Sequence, residues 1–173
     1  MKKEKAEVKI MLDVMAFQET KNASMCGPAS LKIVLNYYGI NKSEAELAKL
    51  CMLDGELGTT PEDLTRVAKD LGMNAEIKEE CGYDDIENWL KKGVPVIVDW
   101  FTSGDMMFRD SVPDGHYSVV AGLDGENIFL QDPEIGRMRK LDRESFMKVW
   151  FDFKGKYIDR EGLVMRQLIA IWK

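Results

Sequence analysis

The stretch SMCGPASLKIVLNYYG, residues 24–39, sets a cysteine directly before a glycine, a proline and an apolar helical pattern. Leu31, Val34, Leu35 and Tyr38 recur at the spacing of a helix that buries one face. Pro28 suits the first turn, where its missing N–H is an orphan in any case, and Gly39 ends the pattern. Cys26 therefore stands at the mouth of a helix. Two readings are open at this point. Cys26 is either a small buried residue under a helix start, as free cysteines commonly are, or a nucleophile. The helix N-terminus carries partial positive charge and favours the thiolate over the thiol. Gly27 is expected to turn the chain tightly and leave amides open to a substrate oxygen, with the Cys26 N–H as one oxyanion donor. Gln18, upstream in FQETKNASMC, is the candidate for the second donor.

Outward from this stretch, helices follow one another. NKSEAELAKLC carries a capping-box pair, Ser43 and Glu46, with Leu47 and Leu50 expected on the inner face. GTTPEDLTRVAKDLG starts a helix with Thr60 as cap and Pro61 in the first position, and Gly72 stops it. NAEIKE reads as a strand and YDDIENWLKKG as a helix capped by Asp84 or Asp85. The second half changes character. VPVIVDWF is a strand, and HYSVVAGLDGENIFLQD is two strands joined at Asp124–Gly125. PEIGRMRKL is a turn and a strand, DRESFMKVWF a helix capped by Asp142, and GLVMRQLIAIWK a closing strand. EVKIMLDV near the start reads as a strand, not as a signal peptide. Helices first and antiparallel strands second, without βαβ alternation, make an α+β order. No repeat or linker interrupts it, so residues 1–173 are expected to form one domain.

Composition narrows the function. The 173 residues hold 30 acidic and 24 basic side chains, a net charge of −6, which argues against a nucleic-acid binder. No stretch reaches the roughly 20 apolar residues that span a bilayer, so no membrane segment and a cytoplasmic location are expected. Cys26, Cys51 and Cys81 are the three cysteines and His116 the one histidine. Nothing is paired at ligand spacing, so neither a structural metal nor a cofactor is expected. One thiol and one imidazole do suffice for a cysteine–histidine pair. Cys51 continues an apolar helical stripe. Cys81, in EECGYDD, lies among like charges that disfavour a thiolate, and is the rival nucleophile. His116 opens an apolar strand in PDGHYSVVAGL. Asp132 ends the partner strand in NIFLQDPEIG, so antiparallel pairing brings the two together. The other readings are a strand-end histidine and an Asp–Pro turn.

Taken in order, Gln18, CGPASLKIVLNYYG, GTTPEDL, GVPVIVDW, GHYSVVAG and LQDPEIG resemble the bacteriocin-processing cysteine peptidases. This is the double-glycine leader peptidase family within the papain-like superfamily, and in more detail the chain resembles its standalone, peptidase-like branch. The resemblance runs from about Phe17 to about Gly136. It implies a papain-like α+β fold, with the cysteine at the head of the central helix and an antiparallel sheet carrying the histidine and aspartate. It also implies Cys26 as nucleophile, His116 as general base and acid, Asp132 as its orienter and Gln18 as oxyanion donor. The transporter-borne members usually have a shorter step from Gln to Cys and an acidic residue before the Cys. Here seven residues intervene and Met25 precedes Cys26. The transporter's membrane and ATP-binding domains have no counterpart in these 173 residues, so double-glycine leader cleavage by a transporter does not carry over. The expected activity is hydrolysis of peptide or amide bonds in a peptide or protein substrate. The alternatives are acyl transfer on the same triad and a catalytically silent peptide-binding module. The segment TSGDMMFRDSVPDG, with Met106, Met107 and Phe108, reads either as a substrate lid or as core cover. Its Asp105, Asp110 and Asp114 favour a basic or neutral peptide over an acidic one.

Overall fold

The computed structural model describes residues 9–21, 24–102, 114–155 and 158–173. Its elements run β1 (Ile10–Met11), α1 (Cys26–Tyr37), α2 (Glu44–Leu50), α3 (Pro61–Asp70), β2 (Asn74–Lys78), α4 (Tyr83–Lys91) and β3 (Val96–Thr102). Then come β4 (Asp114–Leu123), β5 (Asn127–Asp132), β6 (Arg137–Asp142), α5 (Arg143–Val149), β7 (Phe151–Phe153), β8 (Leu163–Met165) and β9 (Leu168–Trp172). The main sheet is antiparallel in the order β2-β9-β3-β4-β5-β6, with β1 added to the end of β4. β7 and β8 form a separate two-stranded ribbon.

The α+β order read from the sequence is the observed one, but the helices cover both faces of the sheet. Leu31, Val34 and Leu35 of α1, Leu47 of α2 and Leu64 of α3 pack with Ile97, Val119 and Ile169 on one side. Ile86 and Leu90 of α4 and Phe146 of α5 pack with Val96, Val98 and Val120 on the other. β3 is therefore buried on alternate sides, which is why Val94–Val98 reads as an unbroken apolar run rather than an alternating one.

Local signals set most boundaries. The Ser43–Glu46 capping box, the Thr60 cap with Pro61 behind it, and the Asp142 cap on Ser145 N–H are all present. Five details differ from the sequence expectation. The α4 helix starts at Tyr83, because the Tyr83 ring is buried and its hydroxyl donates to Asn127 O at 2.8 Å. Gly82 is then the N-cap, and Asp85 accepts the Gly82 N–H at 2.8 Å. Leu50 is 44% exposed, since Cys51, not Leu50, turns inward at the end of α2. The β4–β5 connection spans Asp124, Gly125 and Glu126, and Asp124 accepts N–H groups from Glu126 and Asn127. The closing strand is split into β8 and β9 by Arg166, whose φ is +49° and whose N–H donates to Trp150 O at 3.0 Å. Gly27 lies inside the first turn of α1 and not in a tight bend; a Cβ there would come 2.9 Å from Thr59 Cβ, so its smallness lets the Thr59 loop touch the helix.

Among the described residues of the N-terminal strand only Ile10–Met11 pairs, and residues 1–8 lie outside the described part. Asp105, Met106, Met107, Phe108 and Asp110 also lie outside the described residues. Asp114 is described only as backbone, paired with Thr102.

Candidate active site

Cys26 is the first residue of α1, a 12-residue helix. Met25 at the N-cap contributes no side-chain hydrogen bond and the first turn has no acidic residue, so the positive end of the helix is left to Cys26. Burial of the next residues, Gly27 through Leu31, fixes this end against the sheet.

His116 lies on β4, buried to 7% exposure, and its Nε2 is 2.7 Å from Asp132 Oδ1. The pairing register explains the meeting. Val119 pairs with Gln131, so Asp132 falls across from Ser118, two residues from His116 on the same side of the strand. Asp132 is 1% exposed, yet its carboxylate is fully engaged. Oδ1 also accepts the Glu134 N–H at 3.0 Å, and Oδ2 accepts Arg139 Nε at 2.6 Å. Burial pushes the Asp132 carboxyl up, but the hydrogen bonds and charges of His116 and Arg139 outweigh it and hold it below the usual carboxylate range. It stays ionised.

The other neighbour that acts on the His116 ring is Cys26, which together with Asp132 favours the charged imidazole. Because Nε2 is taken by Asp132, Nδ1 is the atom left for the sulfur. Burial opposes the imidazolium, but the hydrogen bonds to Asp132 and Cys26 and their charges prevail, and the histidine is raised well above its ordinary value. Trp100 meets the imidazole edge-on with ring centroids 5.8 Å apart, and its own Nε1 is tied to Ser118 Oγ at 3.0 Å. Chemically, this is an imidazole held between a carboxylate and a cysteine sulfur at a helix N-terminus, a placement from which the ring can take a proton and return it.

The other cysteines are not placed for such chemistry. Both are fully buried, and burial pushes the Cys51 thiol up to about 12 and the Cys81 thiol up to about 11. The Cys81 Sγ donates to Lys78 O at 3.4 Å.

Gln18 is brought near Asp132 but not to Cys26. Its amide donates to Glu134 O at 2.5 Å and to Pro133 O at 3.5 Å, and it is absent from the lining of the cavity onto which Cys26 opens. It rests on Gly136, where φ is +63° and where a Cβ would lie 2.6 Å from Gln18 Oε1. The residue that the sequence reading missed is Glu19. The segment is anchored by Gln131 Nε2 on Val14 O and by Glu19 N–H on Pro133 O, and the Glu19 carboxyl turns inward. Burial, followed by the charges of Glu134, Asp132 and Glu44 and opposed by His116, pushes it up to about 7. Neighbours on an extended segment point to opposite sides, so an acid next to Gln18 was the available signal.

His116, Asp132 and Glu134 each present one ligand atom within 4.8 Å of the others. A metal there would compete with the Arg139 guanidinium for Asp132, so the set is better fitted to proton transfer. Beside Cys26 a cavity of about 490 Å³ opens between the Thr59–Pro61 loop, β3, β4 and β7. No helix among the described residues is long and apolar enough to cross a membrane.

An α+β fold with a cysteine heading its buried helix and a His–Asp pair on adjacent antiparallel strands defines the papain-like cysteine peptidases. Within that class the chain belongs to the peptidase C39 family, whose sequence profile matches residues 15–154. It is 34% identical over 125 residues to an uncharacterized protein of Methanothermobacter marburgensis, covering 72% of this chain and 75% of that one. It is 32% identical over 127 residues to the transport/processing ATP-binding protein ComA of Streptococcus pneumoniae. That match covers 72% of this chain but only 16% of ComA. In structure it is similar to a double glycine motif protease from an AMS/PCAT transporter, solved in complex with the leader peptide. The TM-score is 0.66 at 20% identity, over 96% of this chain and 99% of that one.

Proposed function

We propose that the protein hydrolyses peptide or amide bonds of a peptide substrate through Cys26, His116 and Asp132, acting as one catalytic unit over residues 1–173. The observation that carries this reading is the placement of His116, bonded to Asp132 at 2.7 Å and near enough to Cys26 at the head of α1 for the thiol to act on the ring. The Cys26 thiolate attacks the carbonyl carbon, a C–S bond forms, and the oxygen takes the negative charge. The uncapped first turn of α1, beginning with the Cys26 N–H, faces that charge with its amide dipoles. Collapse breaks the C–N bond, and His116 gives its proton to the leaving amine. The thioester is then attacked by water, whose proton returns to His116, and the C–S bond breaks to release a carboxylic acid. Asp132 fixes the ring orientation and balances the imidazolium charge throughout. Gln18 holds the 133–136 turn that carries Asp132, so its contribution is to position that carboxylate.

A peptide substrate is supported by the relatives, which include a protease solved with a leader peptide. The test is incubation with a fluorogenic peptide library. Cleavage is expected, with loss on Cys26→Ala and on iodoacetamide treatment, and with alkylation confined to Cys26. Alkylation of Cys26 no faster than of Cys51 and Cys81 would remove the hydrolase reading. Amine-dependent product formation without hydrolysis would replace it with acyl transfer.

A further inference from the structure

The Asp132 carboxylate faces two nitrogen partners at once. His116 Nε2 lies 2.7 Å from Oδ1, and Arg139 Nε donates to Oδ2 at 2.6 Å. The Asp132 side chain is fully buried and the Arg139 side chain is 26% exposed. The strand register explains the second contact. Arg137 of β6 pairs directly with Asp132, and Arg139 pairs with Leu130. Residues two apart on a strand share a face, so Arg139 stands diagonally across from Asp132, within reach of a long side chain. Arg137 is exposed, and among the described residues Arg139 is the one arginine that ion-pairs with Asp132.

Arg139 is also held from a second side. Its guanidinium carbon lies 5.9 Å from the centre of the Trp100 ring. Trp100 is itself fixed, because its Nε1 donates to the buried Ser118 Oγ at 3.0 Å. Trp100 pairs with His116 across β3 and β4, and the two rings meet edge-on at 5.8 Å. One aromatic ring therefore flanks both side chains that share the carboxylate. Arg139 is not among the residues that line the cavity beside Cys26, so its route to the reaction runs through Asp132 and Trp100.

The charges around the imidazole give this arrangement a use. Besides Cys26 of α1, the groups whose charge couples to His116 are Asp132 of β5, Glu19 of the N-terminal segment and Asp99 of β3. Glu134, in the turn after β5, brings a carboxylate oxygen within 4.8 Å of the His116 and Asp132 ligand atoms. These four are acids, and Arg139 is the cation paired into the set. Carboxylates favour the imidazolium, and His116 is raised well above its ordinary value. An imidazolium held too tightly is a poor acid for the leaving amine, because proton transfer is fastest when the donor is matched to its task. A carboxylate divided between two cations binds each less strongly than it would bind one alone. The guanidinium does not release its own proton, so it keeps Asp132 ionised without entering the transfer.

We propose that Arg139 is a positioning residue for the hydrolysis: by sharing the Asp132 carboxylate with His116, it fixes the ring beside Trp100 and keeps the imidazolium proton transferable to the leaving amine. The inference rests on the hydrolase reading for the reaction, but the hold of Arg139 on the ring is measurable without activity. His116 is the one histidine of the chain, so its imidazole signals titrate without overlap in NMR. Arg139→Gln keeps an N–H donor for Asp132 and removes the charge. There the His116 midpoint is expected to rise by about one pH unit. The alkaline limb of kcat/KM should move the same way. The kcat should fall by about tenfold or more with a smaller change in KM, because Arg139 does not line the substrate cavity. Arg139→Lys restores a cation and should bring the midpoint back toward that of the unaltered protein. Arg139→Met keeps an unbranched side chain for Trp100 and is the second neutral variant, read in the same way should Arg139→Gln not fold. An unmoved His116 midpoint in a folded neutral variant overturns the proposal, and so does a midpoint raised equally in Arg139→Lys. A raised midpoint in a protein that cleaves no peptide supports the sharing of the carboxylate and removes the hydrolase reading.

Discussion

Asp132 holds the site together at the scale of single residues. Its two oxygens serve His116, Arg139 and the Glu134 amide at once, which leaves the ring no freedom to turn. The His116 imidazolium is raised well above its ordinary value, with burial opposing and the Asp132 and Cys26 bonds prevailing. The His116–Asp132 ion pair therefore persists up to that raised value and is lost as pH climbs through it, Asp132 being held below the usual carboxylate range. Replacing Asp132 with Asn removes the charge that supports the imidazolium and sets an amide against Arg139. For Asp132→Asn we expect kcat/KM to fall on the order of 10²-fold and the alkaline limb of its pH profile to move to lower pH. An unmoved limb would mean that Asp132 acts only as a structural anchor. Glu19 gives a second test at this scale. Its carboxyl is pushed from the ordinary 4.5 up to about 7 by burial first, against the pull of His116. The folded chain holds that proton more tightly than the unfolded one, so its stabilising contribution is whole below about pH 4.5 and is lost as pH rises through 7. Glu19→Gln should therefore gain in melting temperature relative to the unaltered protein between pH 5 and pH 8. Equal differences at the two pH values would refute the burial of this charge.

At the scale of elements, the start of α1 decides both the fold and the position of the thiol. Gly27 lies under Thr59, with a virtual Cβ 2.9 Å from Thr59 Cβ and 3.2 Å from Thr59 Oγ1. Alanine in place of glycine favours a helix by about 1 kcal/mol, whereas an extra methyl in a filled contact costs about 1–3 kcal/mol. The contact should win, because Thr59 Cβ is fixed to its backbone and cannot rotate away. Gly27→Ala is expected to lower stability by about 1 kcal/mol in urea titration and to slow alkylation of Cys26. A more stable variant would show that the loop yields freely. The same distinction, between what neighbours in sequence decide and what distant contacts decide, explains what could be read in advance. The Ser43, Thr60 and Asp142 caps are settled within three residues, so the sequence shows them. Cys26 and Asp132 sit at element boundaries that the sequence marks, by Pro28 and by the Asp–Pro turn, while β4 begins at Asp114, two residues before the His116 that the apolar run marks. The start of α4 and the exposure of Leu50 depend on what Tyr83 and Cys51 touch elsewhere, and no local pattern carries that. Asp99 reads as one polar position in an apolar strand. Only the arrival of β7, 53 residues later in the chain, gives it the Asp152 partner.

Across the whole molecule, the Cys26–His116–Asp132 cluster and the cavity wall belong to parts of different rigidity. α1, β4 and β5 carry Cys26, His116 and Asp132, and β4 lies between β3 and β5 in the sheet. β3 is bonded to β4 on one edge and β9 on the other, with a core on each face. The β7–β8 ribbon bonds only to itself as a sheet. Its attachment to β3 runs through Phe101, whose ring centroid is 5.2 Å from Phe151 and 5.7 Å from Phe153. All three residues of β7 are only partly buried. Elements with few buried contacts open at lower free energy than a doubly covered central strand. Amide exchange of Val96–Val98 should therefore follow global unfolding, while amides of Phe151–Phe153 and Leu163–Met165 exchange faster by roughly tenfold or more. Opening of the ribbon leaves the His116–Asp132 bond in place, because β7 and β8 hold neither residue. Ribbon amides as protected as those of β3 would show that the cavity wall and the strands carrying His116 and Asp132 unfold as one unit.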